Sequence, residues 1–332
     1  MNKNFWSKLV PTGHLPKKDK QPFFVLAPMA NVTDAAFRRL IAKYGKPDVF
    51  YTEFVSADGL CSKGKEKLLV DLLYTKKEHP IVAQIFGANP KKIYEASALI
   101  KKLGFDGVDI NMGCPDRAVE KQGAGAALIK NPKLARELIQ AAKDGAKGLP
   151  ISIKTRIGYN RDELDAWLPE LLAAEPAAII IHARTRKEMS KVPARWEVIA
   201  QAVDMAKGSG VLIIGNGDVG SLEEGQSLAK ETGADGIMIG RGVFGNPWMF
   251  NKKINPSEIS FKNKLEVLVE HTLLFQKLLG EVKNFNIMKK HYKAYVTGFD
   301  GAKELRMRLM AAKNAAEVET VIKAALKKLS VY

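Results

Sequence analysis

Cys114 lies in the run NMGCP, between Gly113 and Pro115 and three residues after Asn111. A thiol with an ordinary pKa of about 8.5 is protonated at neutral pH, which suits a proton donor better than a nucleophile. A cysteine is more often an inert small hydrophobe. That reading fits Cys61 in SADGLCSKG, whereas the turn-forming neighbours of Cys114 argue against it there. Lys154, in ISIKTRIG, brings an ammonium that either pairs with a carboxylate on a neighbouring strand or stabilises an anion forming on a ligand. His182, followed by Arg184, is either a satisfied core histidine or a ligand contact. Gly215, Gly217 and Gly220 spell GxGxxG around Asn216 and Asp218, and Gly240-Arg241 follows. Five histidines without paired spacing and two distant cysteines do not make a metal site.

These residues share a position: each closes a short apolar run. The runs are FFVLAPM (23–29), DVFYTEF (48–54), IVAQIFG (81–87), GVDINMG (107–113), ISIKTRIG (151–158), AIIIHAR (178–184), VLIIGNGD (211–218) and GIMIGRG (236–242). Near-continuous apolarity marks strands covered on both faces. Helical starts intervene: Asn89-Pro90, Asn131-Pro132, and Ser221 with Glu224 in a capping-box spacing. Eight such units predict an α/β fold, a closed (β/α)8 TIM barrel. In that fold the C-terminal strand ends form one mouth, which gathers Pro28, Met29, Glu53, Gln84, Asn111, Cys114, Lys154, Arg156, His182, Arg184, Asn216, Asp218 and Arg241. The GxGxxG is not a Rossmann fingerprint, because it follows the seventh strand and the eighth ends in Gly240-Arg241 rather than an acid. Loops after strands seven and eight are where such barrels hold a phosphate, and one phosphate suits a mononucleotide.

The barrel is expected over residues 23–255, after a basic N-terminal arm (1–22). From Pro256 the strand pattern gives way to a small all-helical C-terminal domain (256–332). There Val318, Val321, Ile322, Ala325, Leu326 and Leu329 make one 3.6-residue stripe, and Leu265, Leu268, Val269, Thr272 and Leu273 begin another. The 332 residues carry 52 Lys plus Arg against 36 Asp plus Glu, a net charge of +16, and the segment from Pro256 contributes +6 of it. Such an excess favours a polyanionic partner, with nucleic acid foremost. Two cysteines exclude a disulfide scaffold and point to a reducing compartment. With no signal-peptide run and no apolar stretch of membrane-spanning length, the expectation is a cytoplasmic protein, monomeric, without membrane or metal.

The runs APMANVTDAAFRR, QIFGANP, VDINMGCPDRAVEKQGAGAAL, ISIKTRIG, IHARTR, IIGNGDV and IGRGVFGNPW, in order from Pro22 to Trp248, resemble the tRNA-dihydrouridine synthases. The tail IMKKHYKAYVTGFDGAKELRMRL is similar to that family's helical RNA-binding domain. The resemblance implies an FMN-containing barrel that reduces the C5=C6 bond of selected tRNA uridines, with NADPH or NADH as electron donor. It implies that Pro28, Met29 and Ala30 line the flavin ring, and that Gln84, Lys154 and His182 contact its polar edge. Asn216, Gly217, Asp218, Gly240 and Arg241 would hold the phosphate end. Cys114 would protonate C5 of the uracil as hydride arrives at C6, with Asn111 on the target base and Arg184 a second substrate contact. Lys289, Lys290 and Arg306 are the candidates for tRNA phosphates, although a helix charge is as often a solvated face. Asn31 stands where the family usually has Gly, and Asn tolerates left-handed backbone. A target uridine would have to be flipped out of its stack. Two other readings stay open at this point: an FMN barrel acting on a free pyrimidine or enone, as in dihydroorotate dehydrogenases, and an RNA-binding protein without chemistry.

Overall fold

The computed structural model describes residues 4–10 and 21–329. Eight strands form one parallel sheet: β1 Phe23–Leu26, β2 Phe50–Ser56, β3 Ile81–Phe86, β4 Gly107–Met112, β5 Ile151–Arg156, β6 Ala178–His182, β7 Leu212–Asn216 and β8 Gly236–Ile239. Each pairs with its sequence neighbour, and β1 pairs with β8 with Phe23 opposite Gly236. The ring closes between β1 and β2 through a parallel bridge of Val25 with Val49, where the Leu26 N–H donates to the Val49 carbonyl at 3.0 Å. The expected (β/α)8 barrel is therefore present. The register of β2 against β3 shifts between Tyr51 and Phe54, and the Thr52 hydroxyl accepts the Gln84 N–H there at 3.1 Å.

Strand periodicity divides the side chains. Phe24 and Leu26, like Ile179 and Ile181, face outward into the core shared with the helices. Their alternates Phe23, Val25, Ala178, Ile180, Ile214 and Met238 fill the barrel interior. The helix α1 (Phe5–Leu9) belongs to that interior cluster: Trp6 is 2% exposed, with ring centroids 5.7 Å from Phe23. Composition marked this stretch only as basic. The rest of the expected arm at 1–3 and 11–20 lies outside the described residues.

The crossover helices start where the sequence signals them. Asn89 caps α3 (Pro90–Lys102) and Asn131 caps α4 (Pro132–Ala146), each with proline in the first turn. Ser221 caps the helix Leu222–Thr232 by accepting the Glu224 N–H, but the Glu224 carboxylate accepts from Gly220 rather than Ser221. Between β2 and β3 the crossover is reduced to single turns at Ala57–Leu60 and Glu66–Leu69 and short 3-10 turns.

After β8 only helices follow: α5 (Phe261–Leu279), α6 (Lys289–Tyr295), α7 (Ala302–Ala311) and α8 (Ala315–Leu329). The helix α5 packs against α2 (Ala35–Tyr44) of the barrel. Lys43 and Tyr44 both meet Glu270 there, at 2.7 and 2.6 Å. The centre of this junction is aromatic. His271 lies 4.9 Å from Phe37 between ring centroids, His291 lies 4.8 Å from Phe37, and the two imidazoles are 4.5 Å apart.

Both histidines are fully buried, and their ring nitrogens have no hydrogen-bond partner. Burial pushes both below the ordinary histidine range, His291 to about 3. Above pH of about 6.5 both are neutral whether the chain is folded or not; below it only the unfolded chain takes up the protons, so stability falls as pH drops. Between pH 7 and 5.5 the pair should remove about 2.5 kcal/mol, from an unfolded pKa of about 6.5 for each group. Denaturant unfolding at the two pH values should show that drop, and a His271→Leu/His291→Leu variant should lack most of it.

Candidate active site

The parity that fills the barrel with Val25, Ile180 and Ile214 places a polar residue one step further along several strands. Gln84, Asp109, Asn111, Ser152, Lys154, His182 and Asn216 all follow this alternation toward the C-terminal ends. Asp109 is fully buried. It accepts from Ser152 Oγ at 2.7 Å and from Gln84 Nε2 at 2.7 Å, while burial still raises its carboxyl to about 7. Because the Ser152 hydrogen goes to Asp109, the Tyr51 hydroxyl at 2.9 Å is the donor to Ser152. Because the Gln84 amide nitrogen faces Asp109, its oxygen accepts from Asn111 Nδ2 at 3.0 Å.

That chain fixes which way Asn111 points. Its Oδ1 accepts the N–H groups of Gly113 at 3.1 Å and Cys114 at 2.9 Å, folding the backbone after β4 into the turn that presents Cys114. Gly125, at φ +61°, lets the chain approach from the other side: a Cβ there would sit 2.8 Å from the Cys114 carbonyl oxygen. Arg156 ties the turn to the β6 loop. Its guanidinium donates to Gly113 O at 2.8 Å, Thr185 O at 3.0 Å and Met189 O at 2.9 Å. Burial pushes the Cys114 thiol above its ordinary value, outweighing a backbone hydrogen bond at Asp116 and the charges of Arg156 and Lys154. The thiol is thus protonated at neutral pH.

The opposite side of the mouth is cationic. Lys154 Nζ donates to Asn216 Oδ1 at 3.0 Å, and Asn216 Nδ2 donates to Met238 O at 2.8 Å. Burial and the neighbouring Arg156 pull the Lys154 ammonium down to about 8. Burial, followed by the charges of Lys154, Arg156, Arg184 and Arg241, holds His182 far below the ordinary histidine range. Its Nε2 lies 3.0 Å from Arg184, which can only donate, so Nε2 is the acceptor and the neutral ring carries its proton on Nδ1. Asp218 bridges Arg184 and Arg241. Burial opposes its ionisation, but the Arg184 hydrogen bond and the Ala194 N–H hold its carboxyl below the usual range.

A cleft of about 570 Å³ opens over this side, lined by Pro28, Met29, Lys154, His182, Arg184, Asn216, Gly217, Asp218, Gly240 and Arg241 among others. A recess of about 160 Å³ joins it through Pro28, Lys154 and His182, and holds Gln84, Asn111, Cys114 and Arg156. Of the residues expected in the mouth, Ala30 is exposed in the turn beyond the cleft wall. Lys289, Lys290 and Arg306 lie on the helical segment away from both spaces, and Arg306 is engaged with Val296 O at 2.8 Å. Asp109 and the loop residue Ser190, which lines the cleft, carry no sequence signal that would have marked them.

The residues fit an anionic planar cofactor. Met29 and Pro28 supply an apolar wall. Gly217 and Gly240 line the cleft without side chains. Two arginines against one aspartate leave net positive charge at the Gly217–Arg241 end. Replacing Asn111 with Ala should strand the Gly113 and Cys114 N–H groups, costing about 1–3 kcal/mol in denaturant unfolding. Alkylation of Cys114 by iodoacetamide, followed by mass spectrometry with Cys61 as internal reference, should become faster in that variant.

The dihydrouridine synthase (Dus) family model matches residues 25–330. A probable tRNA-dihydrouridine synthase of Staphylococcus aureus (strain Mu50) is 41% identical over 327 residues, covering 97% of this chain and 95% of that one. Probable tRNA-dihydrouridine synthase 2 of Bacillus subtilis (strain 168) is 42% identical over 327 residues, covering 97% and 96%. Among solved structures, a variant of NCR from Zymomonas mobilis aligns with a TM-score of 0.50 at 15% identity over 73% of this chain and 90% of that one, a likeness of fold. With the family's match running from the first strand through the terminal helix, the chain belongs to the dihydrouridine synthase family.

Proposed function

We propose that this protein is a tRNA-dihydrouridine synthase that carries FMN and draws electrons from NADPH, acting in the cytoplasm as a monomer without a metal. Family membership makes it a flavin-dependent oxidoreductase. No helix among the described residues is long and apolar enough to cross a membrane, and none of their His, Cys, Asp and Glu side chains cluster for a metal. The observation that carries the reading is a protonated thiol and a cationic cleft opening into one mouth, with Lys154 and His182 lining both spaces.

The larger cleft would hold the flavin, whose reduced form would supply the hydride. Pro28 and Met29 would flank its ring, Lys154 and His182 would meet its polar edge, and Asn216, Gly217, Asp218, Gly240 and Arg241 would hold the phosphate end. Lys154, with its pKa at about 8, is mostly protonated at neutral pH and stabilises negative charge at that edge. The uracil C5=C6 bond is conjugated with the C4 carbonyl, so hydride at C6 leaves an enolate whose C5 must be protonated. Cys114 gives its thiol proton to that carbon. Asn111 acts on the thiol's position, since its oxygen holds the turn. Arg184, already bonded to His182, Val192 O and Asp218, orders the cleft rather than reaching freely for a base. The helical segment from Pro256 is the tRNA-binding domain in this reading, with Lys289 and Lys290 offering charge to phosphates.

Cys114→Ala should purify with its flavin absorbance intact and form dihydrouridine about 10²–10⁴-fold more slowly, the usual contribution of a general acid. Because the acid form of the thiol is required, the wild-type rate should fall as pH rises through a value above the ordinary thiol range. Mass-spectrometric quantification of dihydrouridine in a tRNA transcript reads both. A variant turning over at the wild-type rate would remove Cys114 from the mechanism.

A further inference from the structure

Glu53 is a buried acid in the middle of β2, within its register shift, that the chemistry above does not use. The register shift in β2 re-aims it toward the rim. One carboxylate oxygen accepts the Asn31 N–H, and the other meets Lys283 Nζ at 2.6 Å. Lys283 also pairs with Asp71 at 2.6 Å. The lysine side chain is 11% exposed and that of Glu53 5%, so this is an ion pair taken out of water.

The two ends of this pair belong to different parts of the molecule. Lys283 follows α5 and its N–H donates to Leu279 O at 2.7 Å, which ties it rigidly to that helix. Six residues further on, α6 begins with Lys289 and Lys290. On the barrel side, Asn31 sits in the turn after Met29 with φ +55°, a left-handed conformation that asparagine tolerates better than most residues. The same turn is closed by Val32 and Thr33 N–H groups on Met29 O at 3.1 and 3.0 Å. Two contacts thus join Lys283 through Glu53 to Asn31, two residues from Met29 in the wall of the 570 Å³ cleft.

Stability alone is a weak reason for such a pair. Buried ion pairs roughly break even against apolar replacements, and their best-attested use is fixing one arrangement over others. Here the arrangement fixed is that of the helical segment relative to the Met29–Asn31 turn.

We propose that Lys283 is a positioning residue that, through Glu53 and Asn31, couples RNA docking on the helical segment to the wall of the flavin cleft. This rests on the function proposed above. Occupation of the helical segment by tRNA strengthens flavin binding, and flavin binding favours the docked arrangement equally.

The test is FMN affinity of the full chain, measured by flavin fluorescence with and without an unmodified tRNA transcript. In the wild type, tRNA should tighten FMN by about 5-fold or more. Lys283→Met should bring that ratio to near one, and Lys283→Arg, which keeps the charge, should retain it. Glu53→Gln should also abolish the ratio and serves in place of Lys283→Met if that variant does not fold. Purely structural damage would weaken FMN binding equally in both conditions and leave the ratio unchanged, which would overturn the proposal. So would a wild-type ratio of one. A wild type that binds tRNA but no FMN under any condition would sink the flavin assignment itself, and this coupling with it.

Discussion

A carboxylate in the middle of a barrel is tolerable only if its lone pairs are filled, because an unpaired buried charge costs several kcal/mol. Asp109 meets that condition with Ser152 and Gln84, and the consequences propagate. Filling its first oxygen turns Tyr51 into a donor; filling its second turns the Gln84 oxygen toward Asn111, and Asn111 toward the Cys114 turn. The orientation of the Cys114 backbone is thus determined from Asp109 at the barrel's centre, with only Gln84 and Asn111 between. Lys154 lies close enough to favour the ionised form of Asp109, and Asp109 in turn helps Lys154 stay charged. The interior below the mouth is a polar layer resting on the apolar one that Trp6 and Phe23 complete.

The strands were legible because both of their faces are covered. Continuous apolar runs located all eight, and most observed strands begin within a residue of the run that marks them. β2 starts and ends two residues later than its run, DVFYTEF, and it carries the register shift that no hydropathy pattern encodes. The mouth followed from the barrel, since a closed parallel ring leaves only one place for strand ends to go. Partners across the chain were not legible. Glu53 and Lys283 are 230 residues apart, and one lysine among the fourteen Lys and Arg that follow Pro256 announces nothing about burial. Asp109 occupies an interior position in a run that reads as apolar, and Trp6 sits in a stretch whose composition is merely basic. In each case the decisive quantity is what the side chain meets, which spacing does not carry.

The two sides of the mouth are held by different means. The Cys114 side depends on main-chain carbonyls gathered by Arg156, a rigid fork with fixed donor directions, and Arg186 reinforces it by gripping Glu120 across the same gap. The β1–β2 side depends on an ion pair with the helical segment. In the proposed reaction the thiol delivers its proton to one carbon and so needs fixed geometry, whereas the wall of the cleft has to admit and retain a ligand. Under the coupling proposed above, anchoring that wall to Lys283 through Glu53 makes its position depend on how the helices dock.

Four cations share this mouth with few acids. Their mutual repulsion adds to burial at two of them, drawing Lys154 down to about 8 and Arg156 to about 10, and it keeps the neighbouring His182 neutral. Asp218 relieves part of it by joining Arg184 to Arg241, and Asp109 relieves part at the floor. What is left over is a positive potential fixed in place by hydrogen bonds to Val192 O, Met189 O and Asn216 rather than by mobile solvent. An anion entering this cleft needs no reorganisation of the donors and lowers the energy of every cation around it, so the site is set for negative charge before any ligand arrives. His182 follows the same logic from the other side: a protonated ring would add a fifth cation, and its neutrality keeps Nε2 available as the acceptor that locks Arg184.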